Sequence, residues 1–377
     1  MNFCKSCFYP DTKPDLAFND SGFCAACISF KKREKIDWKK REEKFLEVVN
    51  QIKKDRNSEY DCIIPVSGGK DSTYQVIKGL DYGLKILCVN SRTCSLTPIG
   101  RENLDNIKNL GVDMMELAPN PIVRKKLNKL CLKEVGDISW PEHISIFTLP
   151  IKIALKLNIK LIVWGENSQN EYGGPLESLE NTTLNRGWLE EFGGLLGLRL
   201  SDLIDHYGFD KRDLEFYKYP DPKKISESKI QSLFFGYFFP WDGHRNAIVS
   251  QKKGFKFHDN IVEGTGVKYE NLDNYQTGIH DYFKYLKYGF GRTTDIMNNL
   301  YRRNLISKSE AYNNIKKYDG NFPSTYLGKK IEDILKDIDL NINEFEKICD
   351  KFTNKKIFKC SNEGKILKKN FSPIKNF

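Results

Sequence analysis

Residues 60–72 read Tyr60-Asp61-Cys62-Ile63-Ile64-Pro65-Val66-Ser67-Gly68-Gly69-Lys70-Asp71-Ser72. The run over 60–66, apolar from Cys62 onward, is too short for a helix and is followed by a Gly-rich turn, so it predicts a short buried strand. Two glycines then form a turn, and an amphipathic helix is expected from Ser72 to about Leu80. A Gly-rich turn between a buried strand and a helix is a phosphate cradle. The glycines admit an anion close to the backbone, and the helix N-terminus favours negative charge.

Outward from this segment the chain alternates. Strands are expected at 85–90, 112–117 and 160–164, with helices at about 99–110, 121–134 and 142–157. Strands that alternate with helices imply right-handed crossovers and a parallel sheet covered on both faces. Residues 58–175 are therefore read as a doubly wound α/β domain. Residues 176–260 show no clear period, and 278–352 carries helical spacing at Ala311, Ile315, Ile331, Ile334, Leu335 and Ile338. The expectation is a mostly helical, substrate-binding region over 176–352 and a basic tail or short hairpin over 353–377.

At the other end, Cys4-x2-Cys7 and Cys24-x2-Cys27 are two tight pairs, the spacing of a four-thiolate structural zinc site. Residues 1–30 hold too little apolar material to fold alone, so a metal would supply the missing stabilisation. Phe8, Pro10, Phe18, Gly22 and Phe23 suit a ribbon around it. A charged amphipathic helix over Ile28–Lys54 is expected to link the ribbon (1–30) to the α/β domain through 31–57. The other cysteines, at 62, 88, 94, 131, 349 and 360, are scattered.

The net charge is +10 at pH 7. Residues 351–377 carry +7 and 31–56 carry +5, which leaves the rest of the chain near neutral at −2. This distribution argues against a nucleic-acid docking face. No apolar run reaches the ~18 residues of a membrane span. The first residues lack the apolar core of a signal peptide, so a cytoplasmic protein without a membrane partner is expected.

Ser67-Gly68-Gly69-Lys70-Asp71-Ser72 resembles the S-G-G-x-D-S signature of the PP-loop ATP pyrophosphatase superfamily. That resemblance implies an ATP site in which Ser67, Gly68, Gly69 and Ser72 hold the leaving pyrophosphate. Lys70 would add charge, and Asp71 would sit near Mg2+. Asn90, ending the second strand, occupies the adenine-reading position, and Gly165 and Glu166, ending the fourth, face the same crevice. Beyond the loop the chain resembles the N-acetyl sugar amidotransferase family. The matching stretches are Phe3-Cys4 to Pro14-Asp15, Ile162-Val163-Trp164-Gly165-Glu166-Asn167, Glu171-Tyr172-Gly173-Gly174, Phe239-Pro240-Trp241-Asp242, Gly278-Ile279-His280-Asp281-Tyr282 and Lys287-Tyr288-Gly289-Phe290-Gly291-Arg292-Thr293-Thr294-Asp295.

The family implies conversion of an acetamido group on a nucleotide sugar or nonulosonic acid to an acetamidino group, through an adenylated imidate. Asp242, His280, Arg292 and Lys287 become candidates for gripping the sugar or moving protons. Two other readings stay open: a tRNA thiolation enzyme, with Cys94 and Cys131 as a redox pair, and a zinc-ribbon binding module without catalysis. Glutamine hydrolysis needs an activated nucleophile, and no nucleophile-elbow cysteine, N-terminal cysteine or Ser-Ser-Lys amidase pattern is present. Ammonia would come from separate glutaminase and channel subunits.

Overall fold

The computed structural model describes residues 1–55, 58–166, 168–174, 194–360 and 366–368. Residues 56–57, Asn167, the whole stretch 175–193 and most of the basic tail lie outside them.

Five strands, β1 (Cys62–Pro65), β2 (Ile86–Ser91), β3 (Asp113–Leu117), β4 (Leu161–Trp164) and β5 (Gln231–Phe234), form one sheet in the order β3-β2-β1-β4-β5. Every neighbouring pair is parallel, with Ile63 opposite both Leu87 and Ile162, and Val163 opposite Leu233. Helices α3 (Lys70–Asp81), α4 (Pro98–Asn109), α5 (Pro121–Val135) and α6 (Trp140–Leu157) fill the connections. Successive residues of β1 serve opposite faces. Cys62 and Ile64 join Phe45, Val76, Leu104 and Trp241 in one core, while Ile63 joins Ile151, Ala154 and Phe234 in another.

The sheet extends past residue 175, where the α/β domain was expected to end. Its fifth strand comes from the stretch that showed no period, and the helix Gly243–Gln251 then packs on α3. Strand order reverses between β1 and β4, which opens a crevice at their carboxyl ends. The helix after β1 begins at Lys70 rather than Ser72, because Gly69 already occupies the N-cap position.

The linker helix expected over 28–54 is two helices, α1 (Ala25–Arg33) and α2 (Trp38–Lys54). Asp37 divides them by accepting a hydrogen bond from Lys40 N at 3.0 Å, an N-cap that restarts the helix. The ribbon's second cysteine pair thus runs straight into α1. The C-terminal half is helical at Thr277–Tyr288, Arg292–Arg302, Lys308–Tyr318, Ile331–Lys336 and Ile342–Phe352. Phe358–Cys360 and Ile366–Lys368 pair as antiparallel strands at the start of the basic tail. Among the described residues no helix is long and apolar enough to cross a membrane.

Candidate active site

The loop after β1 is shaped by its glycines. Gly68 has φ +87°, and a Cβ there would stand 2.9 Å from Leu104 Cγ and 3.1 Å from the Leu104 backbone nitrogen. A side chain is therefore excluded on both conformational and steric grounds. Ser67 Oγ accepts from Gly69 N at 3.2 Å, and Ser72 Oγ donates to Gly69 O at 3.0 Å. Ser67, Asp71, Ser72, Asn90, Gly165 and Glu166 all line one cavity of about 430 Å³ at the carboxyl ends of β1, β2 and β4. The side chain of Asn90 donates to Val66 O at 2.7 Å, while its buried Oδ1 has no protein partner. An unsatisfied acceptor at this depth suits a ligand donor.

Lys70 does not line that cavity. Its buried ammonium sits behind the loop, paired with Asp71 at 2.6 Å and with Glu270. Burial opposes its charge, but Asp71 and Glu270 outweigh burial and hold the pKa above the ordinary lysine value. The expected role of Lys70 on the pyrophosphate gives way to one of anchoring Asp71. Asn246 completes the anchor by donating to Asp71 Oδ1 at 2.8 Å. Glu270 in turn accepts from Arg292 at 2.9 Å, and its carboxyl is held at about 2 because Lys70 and Arg292 overcome burial.

Glu166 behaves oppositely. Burial, followed by the nearby Asp71 carboxylate, pushes its pKa up to about 7. Two carboxylates that repel one another in one crevice form a donor set suited to a divalent cation.

A second cavity, of about 360 Å³, adjoins the first. His143, His280 and Arg292 line both. The ribbon supplies Lys13, Pro14 and Asp15 to its wall, and the helix Thr277–Tyr288 supplies Lys284 and Lys287. Burial lowers the pKa of Lys13 to about 8 and also lowers that of Lys287. Lys13 donates to Gly173 O at 3.2 Å and Lys287 to Val135 O at 3.3 Å.

Residues 263–372 match the C-terminal domain of WbpG-like LPS biosynthesis proteins. This matched segment supplies Glu270, His280, Lys284, Lys287, Arg292 and Asp295 to the two cavities and their supports. No curated protein matches the chain. Two similar solved structures are an NMN synthetase from Francisella tularensis and an NH3-dependent NAD synthetase from Campylobacter jejuni subsp. jejuni NCTC 11168. The first is 14% identical with a TM-score of 0.28, over 60% of this chain and 98% of the other. The second is 15% identical with a TM-score of 0.29, over 60% of this chain and 100% of the other.

Asp242 is elsewhere. It caps the helix Gly243–Gln251 by accepting from His244 N at 2.9 Å and Arg245 N at 3.2 Å, and it lines neither large cavity. The expected sugar-gripping role is replaced by helix capping. Residues that the sequence reading passed over hold the site together. Arg303 donates to Glu171 at 2.7 Å and to Trp241 O at 2.9 Å, and Glu171 also pairs with Arg33 of α1. Asp137 and His143 were likewise missed. Asp137 accepts from His280 Nδ1 at 2.8 Å and lies 3.3 Å from His143 Nδ1.

The four ribbon cysteines are buried, and their sulfurs all lie within 4.8 Å of one another. Cys4 and Cys27 sulfurs are 3.9 Å apart, and those of Cys7 and Cys24 are 3.6 Å apart. Zinc–sulfur bonds of about 2.3 Å at tetrahedral angles place sulfurs about 3.8 Å apart, so the set fits zinc. Its four thiolates would leave no open coordination position for catalysis.

Proposed function

We propose that this chain is an ATP-dependent amidotransferase. It would convert the acetamido group of a nucleotide sugar or nonulosonic acid to an acetamidino group and release AMP and pyrophosphate. The observation that carries this reading is the union of two cavities at His143, His280 and Arg292. One is built by the phosphate-cradle loop, and the other by the ribbon and the WbpG-like segment.

ATP would lie in the first cavity, with its pyrophosphate on Ser67, Gly68, Gly69 and Ser72 and its adenosine toward Asn90. Asp71 and Glu166 would hold Mg2+, which when bound offsets charge on the phosphates. The sugar would enter the second cavity, where lysines offer counter-charge for an anionic handle. Its acetamido oxygen attacks the α-phosphorus and pyrophosphate departs. Ammonia then adds to the activated carbon, the bond from that carbon to oxygen breaks, and AMP leaves. The loop stabilises charge growing on the leaving pyrophosphate. Zinc in the ribbon would be structural.

A thiolation chemistry finds no support at Cys94 or Cys131. Both are free thiols, and burial pushes Cys94 up to about 12 and Cys131 well above its ordinary value. The deciding experiment incubates the protein with ATP, Mg2+, ammonium and a panel of acetamido sugars, then weighs the products. A sugar carrying NH in place of oxygen, together with AMP and pyrophosphate, supports the reading. ADP and phosphate would overturn it.

A further inference from the structure

Asp137 is almost fully buried where the loop between α5 and α6 meets the helix Thr277–Tyr288, and it serves two histidines at once. Its Oδ1 takes the Nδ1 hydrogen of His280 at 2.8 Å, and its Oδ2 lies 3.3 Å from His143 Nδ1. Oδ1 also accepts from Ser139 N at 2.8 Å, so the carboxylate is fixed to the start of α6. The two imidazoles stand edge to face, with ring centroids 5.1 Å apart and planes at 80°. Both rings line both cavities. With Nδ1–H committed to Asp137, the free ring nitrogen of His280 is Nε2, the tautomer that serves as a base.

We propose that Asp137 is a positioning residue that orients His280 to take a proton from the attacking nitrogen when ammonia adds to the activated acetamido carbon. The inference rests on the amidotransferase reading. The proton balance calls for such a group. Ammonia forms the new carbon–nitrogen bond with its lone pair, which leaves a positively charged nitrogen on a tetrahedral carbon. Expulsion of ammonia reverses the step. Moving one proton from that nitrogen to His280 Nε2 commits the carbon–nitrogen bond. The carbon–oxygen bond then breaks, AMP carries away that electron pair, and the amidine keeps the nitrogen.

The surrounding charges fit this role. Asp137 stays ionised because His280 and His143 overcome its burial. His143 is shifted upward, its burial outweighed by Asp137 and assisted by Glu142. Asp281 from the same helix as His280, Arg292 from the next one, and Lys284, Lys287 and Tyr288 share the cavity walls with the pair, and Cys131 and Tyr288 interact with Asp137. A general base at such a position typically contributes 10²- to 10⁴-fold.

Two half-reactions separate this role from folding and from sugar activation. Acetamido-dependent exchange of pyrophosphate into ATP reports activation, and amidine formation at constant free ammonia reports nitrogen addition. His280→Ala is expected to lower amidine formation about 10²- to 10⁴-fold, to lower exchange far less, and to regain turnover with added imidazole. Asp137→Asn removes the carboxylate that fixes the Nδ1–H tautomer of His280, so nitrogen addition should fall far more than exchange, and Asp137→Glu should restore part of it. Equal loss in both half-reactions, without imidazole rescue, would overturn the proposal, as would a metal ion beyond the ribbon's that is lost with His280→Ala. If the wild-type protein shows no acetamido-dependent exchange, the amidotransferase reading itself fails. Nitrogen NMR of the His280 ring, which reports whether Nδ1 carries the proton, still judges the geometry in that event. An unchanged His280 tautomer in Asp137→Asn would overturn the positioning role.

Discussion

The Tyr9 hydroxyl, inside the cysteine ribbon, donates to Asp295 of the helix Arg292–Arg302 at 2.8 Å. Nearby, Phe8 N donates to Asn298 Oδ1 at 2.9 Å, and Thr12 Oγ1 to Tyr288 O at 2.6 Å. The ribbon is thus fastened to the same two helices that carry His280, Lys287 and Arg292, and it shares the wall of their cavity. A ribbon that loses its fold should take the sugar side of the site with it.

Purified protein should carry about one zinc per chain. Cys24→Ser or strong chelation should lower thermal stability and weaken sugar binding more than ATP binding. Metal analysis with calorimetry on both ligands checks this, and a zinc-free protein of full stability would contradict it. Tyr9→Phe leaves the buried Asp295 short of one partner and should cost about 1–3 kcal/mol in denaturant unfolding.

Acid should unfold the protein through its buried carboxylates. Glu171 and Glu270 are both held at about 2, because Arg33 with Arg303, and Lys70 with Arg292, overcome their burial. A carboxyl group depressed in the folded state contributes stability that is fully present above its unfolded pKa, about 4.3 for Glu. That contribution is lost as pH falls from there toward 2. Urea unfolding at pH 7, 5, 4 and 3 should show the loss concentrated below pH 5. Glu270→Gln should flatten the slope while lowering stability at pH 7, and an unchanged slope would contradict the ion-pair account.

Gly68→Ala should be poorly tolerated. The φ of +87° and the 2.9 Å approach to Leu104 Cγ leave no room for a methyl group, and a strained backbone of this kind costs about 1–3 kcal/mol. ATP binding should fall further than stability does, because the loop must shift to relieve the clash. Isothermal titration beside a denaturation curve separates the two effects, and equal losses would count against a phosphate-cradle role.

Much of the sheet was legible because β1, β2 and β4 are apolar runs between turn signals, the pattern that buried parallel strands require. The fifth strand escaped because Gln231-Ser232-Leu233-Phe234 is short, half polar, and runs directly into an aromatic helix. The loop was readable as a local motif, but the direction of Lys70 was not. Its partner Glu270 lies 200 residues away, and nothing near either residue announces the pairing. Asp242 shows the converse. Asp followed by Gly and His is an N-cap signal that could have been read as one. His143 sits three residues after the start of an apolar helix, where it looks like any other polar position until Asp137 and His280 are brought beside it.

We propose that ammonia reaches this chain from outside, and the state of its thiols supports that proposal. Glutamine hydrolysis needs a nucleophile poised for attack, and a cysteine does this as thiolate. Cys88 is pushed up to about 12 by burial, and burial raises Cys62, Cys131 and Cys349 as well. The Cys94 sulfur lies against Asn128 at 3.5 Å and Gln276 at 3.4 Å, and desolvation followed by Glu142 pushes it up to about 12. Outside the ribbon, these five thiols are therefore protonated at neutral pH. The isolated chain should use ammonium salts, faster at alkaline pH where free NH3 increases, and should leave glutamine intact. Separate glutaminase and channel subunits would restore glutamine use near neutral pH. Labelled glutamine supplied to the isolated protein, with glutamate followed by mass spectrometry, tests this directly. Glutamate appearing in step with the amidine would show that the chain makes its own ammonia and needs no partner.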